Sequence, residues 1–598
     1  MKILSIQALR GPNYWSTDFP KLIQLRIDMG VDITLDQAQW KKIIHVLESA
    51  QIEIPNLNEI DIEEKTVISI AAIALAVQKI ANKDLDLTYF EWKKTAIAHT
   101  YNIVFQYAYE QAGKQAAKSA VHLLQKITTN QAFDLDAESI NIRALLFEET
   151  PKAKLLHLLK ELANRPDIPV ISKSSLGPWQ LGHGKKGIQL DEDKLPESVA
   201  QLFTEVENGS IPIFSITGSN GKTTTTRLVA HILKSAGYKP GYTTSDGIYI
   251  DGQIIDKGDT TGPASAELTL RNTSIDVAVL ETARGGIVRA GLGFNHCNIS
   301  IVTNVQEDHL GISDINTMDE LARIKSVIIN ATYSLGNTIL NADNTYTIAM
   351  GKTAKCLVNW FAMSANNLEI KNAINQKQTV AYIENHCIVI ETPNQKLNIA
   401  NLDDVPITFN GTLKFMTQNA LAAVLAVYLF GLNKTVIANG LKSFLPSPEL
   451  TPGRMNIYDF PHCKLLVDFA HNPDGFLGIQ DFMKPIQASK KIGIIVGTGD
   501  RRPEDVIALG KISAQMFDHI LIHQVKFLRG KTAEELIDQL TTGIKDGNTN
   551  TTWERVPDEI EPLKYALSIA PKDSYIVALS DVLHNPIELV DKYKRETF

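Results

Sequence analysis

The chain has 598 residues, of which 44% are hydrophobic and 21% are charged, and its formal net charge is −8 at pH 7. A chain of this length can form about three or four domains, each with its own core. The negative charge argues against nucleic acid or an anionic membrane as the main partner. The sequence contains no uninterrupted apolar run of about 18 residues and no signal-like N-terminal segment, so we expect a cytoplasmic protein without a membrane span.

The four cysteines are widely separated along the chain, and no two of them form a Cys-x-x-Cys pair. Such spacing predicts neither a zinc site nor a disulfide framework. We expect reduced, partly buried thiols at Cys297, Cys356, Cys387 and Cys463.

Residues 1–165 combine helical and strand-like patterns. Apolar residues recur at helical spacing over 37–50, 64–81 and 110–127, while residues 101–109 alternate like a strand. We predict a compact α/β or α+β domain here. Its opening, residues 9–16, brings together a cation, two aromatics and turn-forming residues, a combination more typical of a core edge than of a ligand platform.

Residues 166–205 are predicted to connect two folded bodies. Their short strand-like pieces are interrupted by Gly182, Gly184 and Gly187. The loop containing these glycines could be taken for a phosphate loop, but no helix follows it to supply a helix dipole.

The central motif is Thr-Gly-Ser-Asn-Gly-Lys-Thr-Thr-Thr at residues 217–225, between an apolar run and a helical pattern that ends at Gly237. Such a turn can place backbone N–H groups around a phosphate, with Lys222 reaching the outer phosphates and Thr223 offering its hydroxyl to Mg²⁺. The loop is a short form, because Ile216 stands where the usual motif has its first glycine. An ordinary glycine turn is the alternative, yet the strand, loop and helix context favours a nucleoside triphosphate site.

Beyond this loop, apolar strand-like runs alternate with helix-forming stretches. The runs lie at 275–280, 298–305 and 338–340. They predict a parallel sheet with helices on its faces over residues 206–445, and ligands of such sheets bind at the carboxyl ends of the strands. Glu281 ends one strand and His309 follows another, so both could hold divalent metal ions against nucleotide phosphates.

Prolines around residue 446 indicate another domain boundary. Strands and helices alternate again over 446–598, which predicts a second, smaller α/β domain. Polar clusters follow its strands at 468–473 and 497–502. A separate domain with polar strand ends suits a lid that closes over a nucleotide and excludes water.

These motifs form an ordered set that resembles the Mur ligases. The set is Thr-Gly-Ser-Asn-Gly-Lys-Thr at 217–223, Glu281, Thr-Asn-Val and Asp-His-Leu within 303–310, Lys325, Leu-Asn-Ala-Asp at 340–343, Pro-Gly-Arg at 452–454 and Asp-Phe-Ala-His-Asn-Pro at 468–473. The stretches 243–249, 258–263 and 281–287, together with residues 9–16, look like the ligase half of the cyanophycin synthetases. That family carries an ATP-grasp domain, which adds aspartate to a polymer backbone, where this chain has only about forty residues. The resemblance therefore implies a short form that keeps the Mur-type ligation alone.

The resemblance implies an ATP-dependent ligase that uses Mg²⁺ and joins a carboxylate, activated as an acyl phosphate, to an amine. It assigns catalytic roles to Lys222, Glu281, His309 and Lys325, and metal-binding roles to Thr223, Glu281, His309 and Lys325. Lys325 matches a lysine that is carbamylated in several Mur ligases; a solvated helix lysine is the alternative. Asn419 matches the adenine-contacting asparagine, and Arg454 with Asp468 matches the pair that holds nucleotide across domain closure. The implied nucleotide-binding set is Gly218, Ser219, Asn220, Gly221, Lys222, Thr223, Thr224, Asn419, Arg454 and Asp468.

The resemblance also implies the substrates and partners. The acceptor would be an aspartate-containing peptide or polymer, and arginine is the family's default amine. It would be either a polymer backbone that a separate ligase makes and the N-terminal domain holds, or a ready-made small peptide. A homo-oligomer is expected, with no nucleic acid and no membrane partner. The alternative is a non-catalytic scaffold that binds such a polymer. The intact set of Lys222, Glu281 and His309 favours the ligase.

Overall fold

A computed structural model describes residues 1–579 apart from 32–34, 56, 58–59, 163–164, 166, 175, 196–197, 202–208, 313, 500, 524–527, 529 and 557–560. Pro166, Asp500 and the residues after 579, which belong to segments predicted above, lie outside the described residues. The chain divides into two compact units. The first comprises Met1–Ile213 and Ser245–Cys297, and the second comprises Phe214–Thr244 and the chain from Asn298 onward.

The first unit begins with an antiparallel sheet covered by helices. Its elements are β1 (Lys2–Arg10), β2 (Lys21–Asp28), α1 (Gln37–Ser49), α2 (Ile62–Ala81), β3 (Phe90–Lys94), β4 (Thr100–Gln106), α3 (Glu110–Thr128), α4 (Leu135–Glu149) and α5 (Ala153–Leu162). The strand order is β1-β2-β4-β3. Ile23, Leu25, Ile103 and Phe105 alternate along β2 and β4 and are fully buried in one core with α2 and α3. This is the α+β alternative of the two that the sequence leaves open.

The predicted connector folds into a small antiparallel sheet with its own core. Its strands are β5 (Val170–Ile171), β6 (Gln180–Leu181) and β7 (Ile188–Gln189). Leu181 and Leu190 pack with Leu155 and Leu158 of α5 in one buried cluster. The segment is thus a folded body and not only a link, because several of its apolar residues share a buried core with α5.

His183 in this segment predicts an acid sensitivity of the first unit. The imidazole is 5% exposed and its Nδ1 lies 3.3 Å from Ser210 Oγ. Burial lowers the pKa of His183 to about 3. Because the pKa is near 6.5 in the unfolded chain, this group contributes stability above pH 6.5 that is lost as the pH falls towards 3. We expect the free energy of unfolding to fall by about 2 kcal/mol between pH 6.5 and 5 through this group.

The measurement is the unfolding free energy of wild type and His183→Gln across this pH range. The glutamine variant carries no titrating group at this position. Its free energy of unfolding should therefore fall by about 2 kcal/mol less than that of wild type between pH 6.5 and 5. Parallel curves for the two proteins would contradict the prediction.

Residues 213–302 contribute elements to both units. In chain order these are β8 (Ile213–Thr217), α6 (Lys222–Ser235), β9 (Pro240–Thr243), β10 (Gly247–Ile250), β11 (Gln253–Lys257), α7 (Pro263–Arg271), β12 (Val277–Glu281), α8 (Arg284–Ala290) and β13 (Cys297–Val302). Within the first unit, Glu267 of α7 joins three parts of the chain. Its carboxylate lies 3.4 Å from an Arg10 guanidinium nitrogen, accepts a hydrogen bond from Ser174 Oγ at 2.9 Å and pairs with the buried Arg271 at 2.9 Å. The N-terminal sheet, the connector and α7 therefore share one ion-pair network.

Backbone contacts dock the loop after β1 onto the loop after α8. Leu292 N–H donates to Pro12 O at 3.1 Å, and Gly293 N–H donates to Arg10 O at 3.0 Å. Gly291 has a φ of +79°, and a Cβ on it would lie 2.4 Å from Arg10 O. Glycine is required there both by the backbone conformation and by the close approach of the neighbouring carbonyl.

Gly291→Ala should destabilise the first unit by about 2 kcal/mol, since it combines a strained φ with a clash against backbone. Gly30→Ala is the matched control: Gly30 has a φ of +71°, but no atom of the described residues lies within 4 Å of its built Cβ. Thermal melting of both variants tests the point. Equal losses would show that the packing of Gly291 against Arg10 adds nothing to the cost of the backbone angle.

The second unit carries the predicted parallel sheet. Its further elements are α9 (Met318–Asn330), β14 (Thr332–Asn341), α10 (Thr345–Thr353), β15 (Leu357–Ala362), α11 (Leu368–Asn375), β16 (Val380–Glu384), β17 (Cys387–Glu391), β18 (Lys396–Asn401), α12 (Lys414–Leu429) and α13 (Lys434–Ser443). β8 pairs with β13 in parallel, and so do β14 with β15 and β15 with β16. β17 and β18 continue the sheet as antiparallel strands, which the sequence analysis does not predict.

A second sheet of the same unit is also predominantly parallel. Its elements are β19 (Asn456–Asp459), β20 (Cys463–Asp468), α14 (Pro473–Met483), β21 (Lys491–Ile495), α15 (Pro503–Met516), β22 (His519–Ile522), α16 (Ala533–Gly547), β23 (Thr552–Arg555), α17 (Pro562–Ile569) and β24 (Ser574–Leu579). The order is β19-β20-β24-β21-β22-β23, with only β19 antiparallel to its neighbour among these described strands. The predicted α/β class is confirmed. Among the helices that the structure describes, none combines the length and apolar character needed to cross a bilayer.

Candidate active site

The phosphate-loop motif lies between β8 and α6, where the sequence places it. A Cβ on Gly218 would lie 1.9 Å from Thr303 Oγ1, and one on Gly221 would lie 2.1 Å from Asn419 Oδ1. Gly221 also has a φ of +86°. Only glycine fits at these two positions. Because α6 begins at Lys222, the loop lies at a helix N-terminus, where backbone N–H groups and the helix dipole favour a phosphate.

The end of β13 holds this loop in place. Ser219 N–H donates to Asn304 O at 3.0 Å, and Asn220 N–H donates to Asn304 Oδ1 at 2.9 Å. Thr303 Oγ1 donates to Asn220 O at 2.6 Å, and Gln306 N–H donates to Ser219 Oγ at 3.0 Å. The loop geometry is therefore fixed by the neighbouring strand as well as by its own glycines.

Lys222 and Thr223, the first two residues of α6, lie at the phosphate loop. Lys222 Nζ donates to Gly218 O at 3.0 Å and to Ser219 O at 2.9 Å, so the ammonium lies along the loop. Thr223 is 6% exposed and stands in the first turn of α6, and Thr224 beside it is 3% exposed. This arrangement matches the chemistry predicted for outer phosphates and a metal ion.

A cleft of about 1050 Å³, including the part that is open to solvent, adjoins the loop. It is lined by parts of the chain far apart in sequence, all within the second unit. The lining residues include Ser219 to Thr224, Asn304, Asn341, Asp343, Phe415, Gln418, Asn419, Arg454, Asp468, Phe469 and His471. All of the predicted nucleotide-binding residues except Gly218 thus line one cleft, and Gly218 belongs to the loop beside it.

Arg454 and Asp468 form one corner of the cleft. The Arg454 guanidinium lies over the Phe469 ring, 4.5 Å from its centroid. Asp468 accepts hydrogen bonds from Met455 N–H at 2.9 Å and from Ala470 N–H at 2.8 Å. Burial raises the pKa of the Asp468 carboxyl, and the Arg454 charge opposes this effect. Asp468 thereby shapes the turn that presents Arg454 to the cleft.

Side chains after β20 and β21 reach the β13 end directly. Asn472 Nδ2 donates to Asn220 Oδ1 at 3.0 Å. Arg501 forms an ion pair with Asp308 at 2.8 Å, and Arg502 forms one with Glu307 at 2.7 Å. The segment predicted as a lid contacts both the phosphate loop and the residues that follow β13.

Asp308 is the most strongly perturbed of these groups. Its side chain is only 9% exposed. Desolvation raises the pKa of the Asp308 carboxyl, but nearby charges outweigh it and the pKa lies below its ordinary value. The groups that lower it are His309, Arg501, His471 and Lys222. An ionised, poorly exposed carboxylate close to Arg501 and Lys222 is a feature typical of functional sites.

Of the four predicted metal-binding residues, Thr223 lies in the first turn of α6, and the other three lie elsewhere in the chain. Glu281 ends β12 in the first unit and is 3% exposed. Lys325 is 3% exposed within α9, which excludes the solvated helix lysine considered above. His309 lies after β13 with a φ of +55°, beside Asp308 and His471. The metal-binding roles of Thr223, Glu281, His309 and Lys325 stay predictions.

Sequence comparison identifies the family. The sequence model of the Mur ligase middle domain matches residues 216–427, and that of the Mur ligase glutamate ligase domain matches residues 453–581. The chain belongs to the Mur ligase superfamily. This Mur ligase relative is 40% identical to the cyanophycin synthetase of Geminocystis herdmanii (strain PCC 6308) over 404 residues, 67% of this chain and 46% of that protein. It is 24% identical to the UDP-N-acetylmuramoyl-L-alanyl-D-glutamate–2,6-diaminopimelate ligase of Caldanaerobacter subterraneus subsp. tengcongensis over 391 residues, 63% of this chain and 74% of that protein.

The resemblance read from the motifs is therefore confirmed, with one limit on its reach. The chain spans about half the length of the cyanophycin synthetases that it matches. Among solved structures, E. coli FolC in complex with DHPP and ADP has a TM-score of 0.48 at 18% identity, covering 64% of this chain and 89% of that one.

Several residues of the Mur ligase site were not singled out by sequence reasoning. Asn304 and Gln306 hold the loop, and Asn341 Nδ2 donates to Thr303 O at 2.9 Å. Arg501, after β21, pairs with Asp308, after β13. The Asn341 motif and the polar 303–309 stretch were visible as patterns. Their pairwise contacts were not, because these residues meet only through the sheet order.

Proposed function

We propose that this chain is an ATP-dependent ligase that activates a carboxylate as an acyl phosphate and joins it to an amino acid amine. The main support is the glycine loop at 217–223. Hydrogen bonds to the β13 end hold this loop, and it lines a cleft that residues of the 453–579 segment also line. Membership in the Mur ligase superfamily supports the reaction class.

The proposed roles of the residues around the cleft follow from their charge and their position. The loop N–H groups and the Lys222 ammonium would neutralise the triphosphate while phosphoryl transfer rearranges its charge. Asn419 and Arg454, which line the cleft, would hold the nucleotide. The acceptor carboxylate takes the γ-phosphoryl group with release of ADP; the amine then attacks the acyl carbon, loses a proton and displaces phosphate. The borders of the cleft would exclude water, which competes with the amine.

The donor set fits a divalent cation such as Mg²⁺. Thr223 offers a hydroxyl at the loop, Glu281 a carboxylate and His309 an imidazole; Lys325 would contribute only if carbamylated. A bound Mg²⁺ would supply charge compensation for the phosphates. The chain's oxygen donors suit that ion, which prefers oxygen ligands.

The proposed acceptor is an aspartate side chain in a peptide or polymer, and the proposed amine is that of an amino acid. Similarity to the cyanophycin synthetases supports this choice, with arginine as the first amine to try. We also propose that the acceptor backbone comes from a separate ligase, that residues 1–165 hold a polymeric acceptor and that the protein is a homo-oligomer.

The test is ADP release with ATP, Mg²⁺, a panel of amino acids and two acceptors, a β-aspartyl dipeptide and polyaspartate. Mass spectrometry of the products should show acceptor plus amino acid less one water. Acceptor-dependent ADP release with this product would support the ligase. Polyaspartate binding without ADP release from any acceptor would instead favour the non-catalytic scaffold.

A further inference from the structure

Three aspartates line the cleft in the described part of the chain, namely Asp343, Asp468 and Asp474. Two of them are engaged in hydrogen bonds. Asp343 accepts from Met363 N–H at 2.8 Å and from Asn367 Nδ2 at 2.9 Å, and Asp468 accepts from two backbone N–H groups. The carboxylate of Asp474 forms no hydrogen bond or ion pair with another described residue. One carboxylate of the cleft is therefore left for a ligand.

The start of α14 is tied to the phosphate loop, which gives Asp474 a defined place beside that loop. Asn472 Nδ2 donates to Asn220 Oδ1 at 3.0 Å. The Oδ1 atom of Asn472 accepts from Gly475 N–H at 2.9 Å, so Asn472 is also the N-cap of α14. Asp474 lies between Asn472 and Gly475 in the first turn of this helix. Asn220, Asp474 and Gly475 all line the same cleft.

The surroundings of Asp474 carry an excess of negative charge. Burial raises the pKa of the Asp474 carboxyl, and the charges of Glu307 and Asp308 raise it further. Each of these two neighbours has an arginine partner, which is Arg502 for Glu307 and Arg501 for Asp308. Asp474 is thus a third carboxylate without a counter-charge among the described residues. A partly buried charge of this kind is costly to keep, so the position favours a cationic ligand.

Other residues of the cleft carry positive charge. Lys222 and Arg454 line it together with the phosphate loop, and they suit the triphosphate and the acyl phosphate. The proposed reaction also needs a cation in this cleft, because the amine of an incoming amino acid is an ammonium at neutral pH. Among the described lining residues, Asp474 has the charge that this ammonium requires.

We propose that Asp474 binds the ammonium of the incoming amino acid and holds it beside the acyl phosphate. Hydrogen bonds between an ammonium and a carboxylate are about twice as strong as those between neutral groups. Holding the reacting nitrogen next to the loop also reduces the entropy cost of reaching the attack geometry. This inference rests on the proposed function and names the residue that recognises the amine. Asp474 contacts a group that every amino acid carries, so it does not by itself select the side chain.

The first test measures binding and needs no turnover. Isothermal titration calorimetry compares L-arginine with δ-guanidinovalerate, which has the same side chain and carboxylate but no ammonium, on the full-length protein with a non-hydrolysable ATP analogue. Wild type should bind L-arginine more tightly by about 10-fold or more. Asp474→Asn keeps the size of the side chain but removes its charge, so it should bind the two compounds about equally. Equal affinities in wild type, or no binding of either compound, would contradict the proposal.

Asp481→Asn is the matched control. Asp481 is an exposed carboxylate later in the same helix, where it pairs with Lys484 at 2.6 Å. The two variants therefore lose equal charge from one element. Asp481→Asn should keep the wild-type preference for L-arginine. A loss of this preference in both variants would show that the net charge of α14 matters and that contact with Asp474 does not.

The second test uses turnover with hydroxylamine as a competing nucleophile, which is largely uncharged at neutral pH. With ATP, Mg²⁺ and an acceptor, amide and hydroxamate form from the same acyl phosphate. Asp474→Asn should lower the ratio of amide to hydroxamate by about 10-fold or more for every amino acid that wild type uses. An unchanged ratio, which a role of Asp474 in phosphoryl transfer would give, overturns the proposal. So does a loss confined to amino acids with cationic side chains.

Failure of the proposed function has a different signature. A wild-type protein that releases no ADP and forms no hydroxamate with any acceptor would refute the ligase. The calorimetric comparison would still decide whether Asp474 binds an ammonium, since it depends on no reaction.

Discussion

Lys222→Ala should lower ligation turnover by about 10²-fold or more, with the fold retained. Lys222 is the first residue of α6, and its ammonium lies along the loop, bonded to Gly218 O and Ser219 O. A charge fixed in this position stabilises phosphate oxygens as their charge is redistributed during transfer. The measurement is the rate of ADP release with a saturating acceptor, together with thermal melting.

Lys234→Ala is the control for this variant. Lys234 is an exposed lysine in the last turn of the same helix, so the two changes remove equal charge from one element. Lys234→Ala should keep wild-type turnover. If Lys222→Ala turned over at a near-normal rate, this loop could not be the phosphate site.

The alternation of apolar strand-like runs with helix-forming stretches predicted the fold class, because each of these patterns arises from interactions between residues close in sequence. Buried parallel strands appear as short apolar runs, as for β8 and β12, and amphipathic helices appear through helical spacing. β17 and β18 were missed although Cys387–Glu391 is an apolar run and Pro393 and Asn394 mark a turn before Lys396–Asn401. Neither signal shows that these strands extend the parallel sheet. The folded connector was also missed, since its core draws on Leu155 and Leu158 of a helix outside it.

The loop residues were predictable for the same reason: a strand, a glycine turn and a helix are consecutive in sequence. Asn419 and Arg454 were assigned only through the family resemblance, and both line the cleft. The contacts of Asn304 with the loop and of Arg501 with Asp308 depend on which strands become neighbours. Sequence spacing carries no information about a pair almost 200 residues apart.

Arg501→Met should lower the free energy of unfolding of the second unit by about 3 kcal/mol, measured in EDTA so that no cation takes part. Arg501 is buried, with a side chain 3% exposed, and its partner Asp308 has one that is 9% exposed. Methionine keeps much of the volume but leaves the carboxylate without this counter-charge in a poorly solvated place. The neighbouring Arg502→Met is the matched control. Arg502 is itself 28% exposed, and its partners Glu307 and Asp505 are 59% and 14% exposed, so this variant should lose less stability than Arg501→Met.

A double variant separates charge from packing. If the cost of Arg501→Met comes from an uncompensated carboxylate, adding Asp308→Asn should recover part of it, because both charges are then gone. If the cost comes from lost packing around the guanidinium, the two changes should add. Turnover should fall both in Arg501→Met and in the double variant. Each of them lacks the ion pair that connects the β13 end to the segment after β21. Additive losses with unchanged turnover would show that the pair neither holds the cleft together nor contributes through its charge.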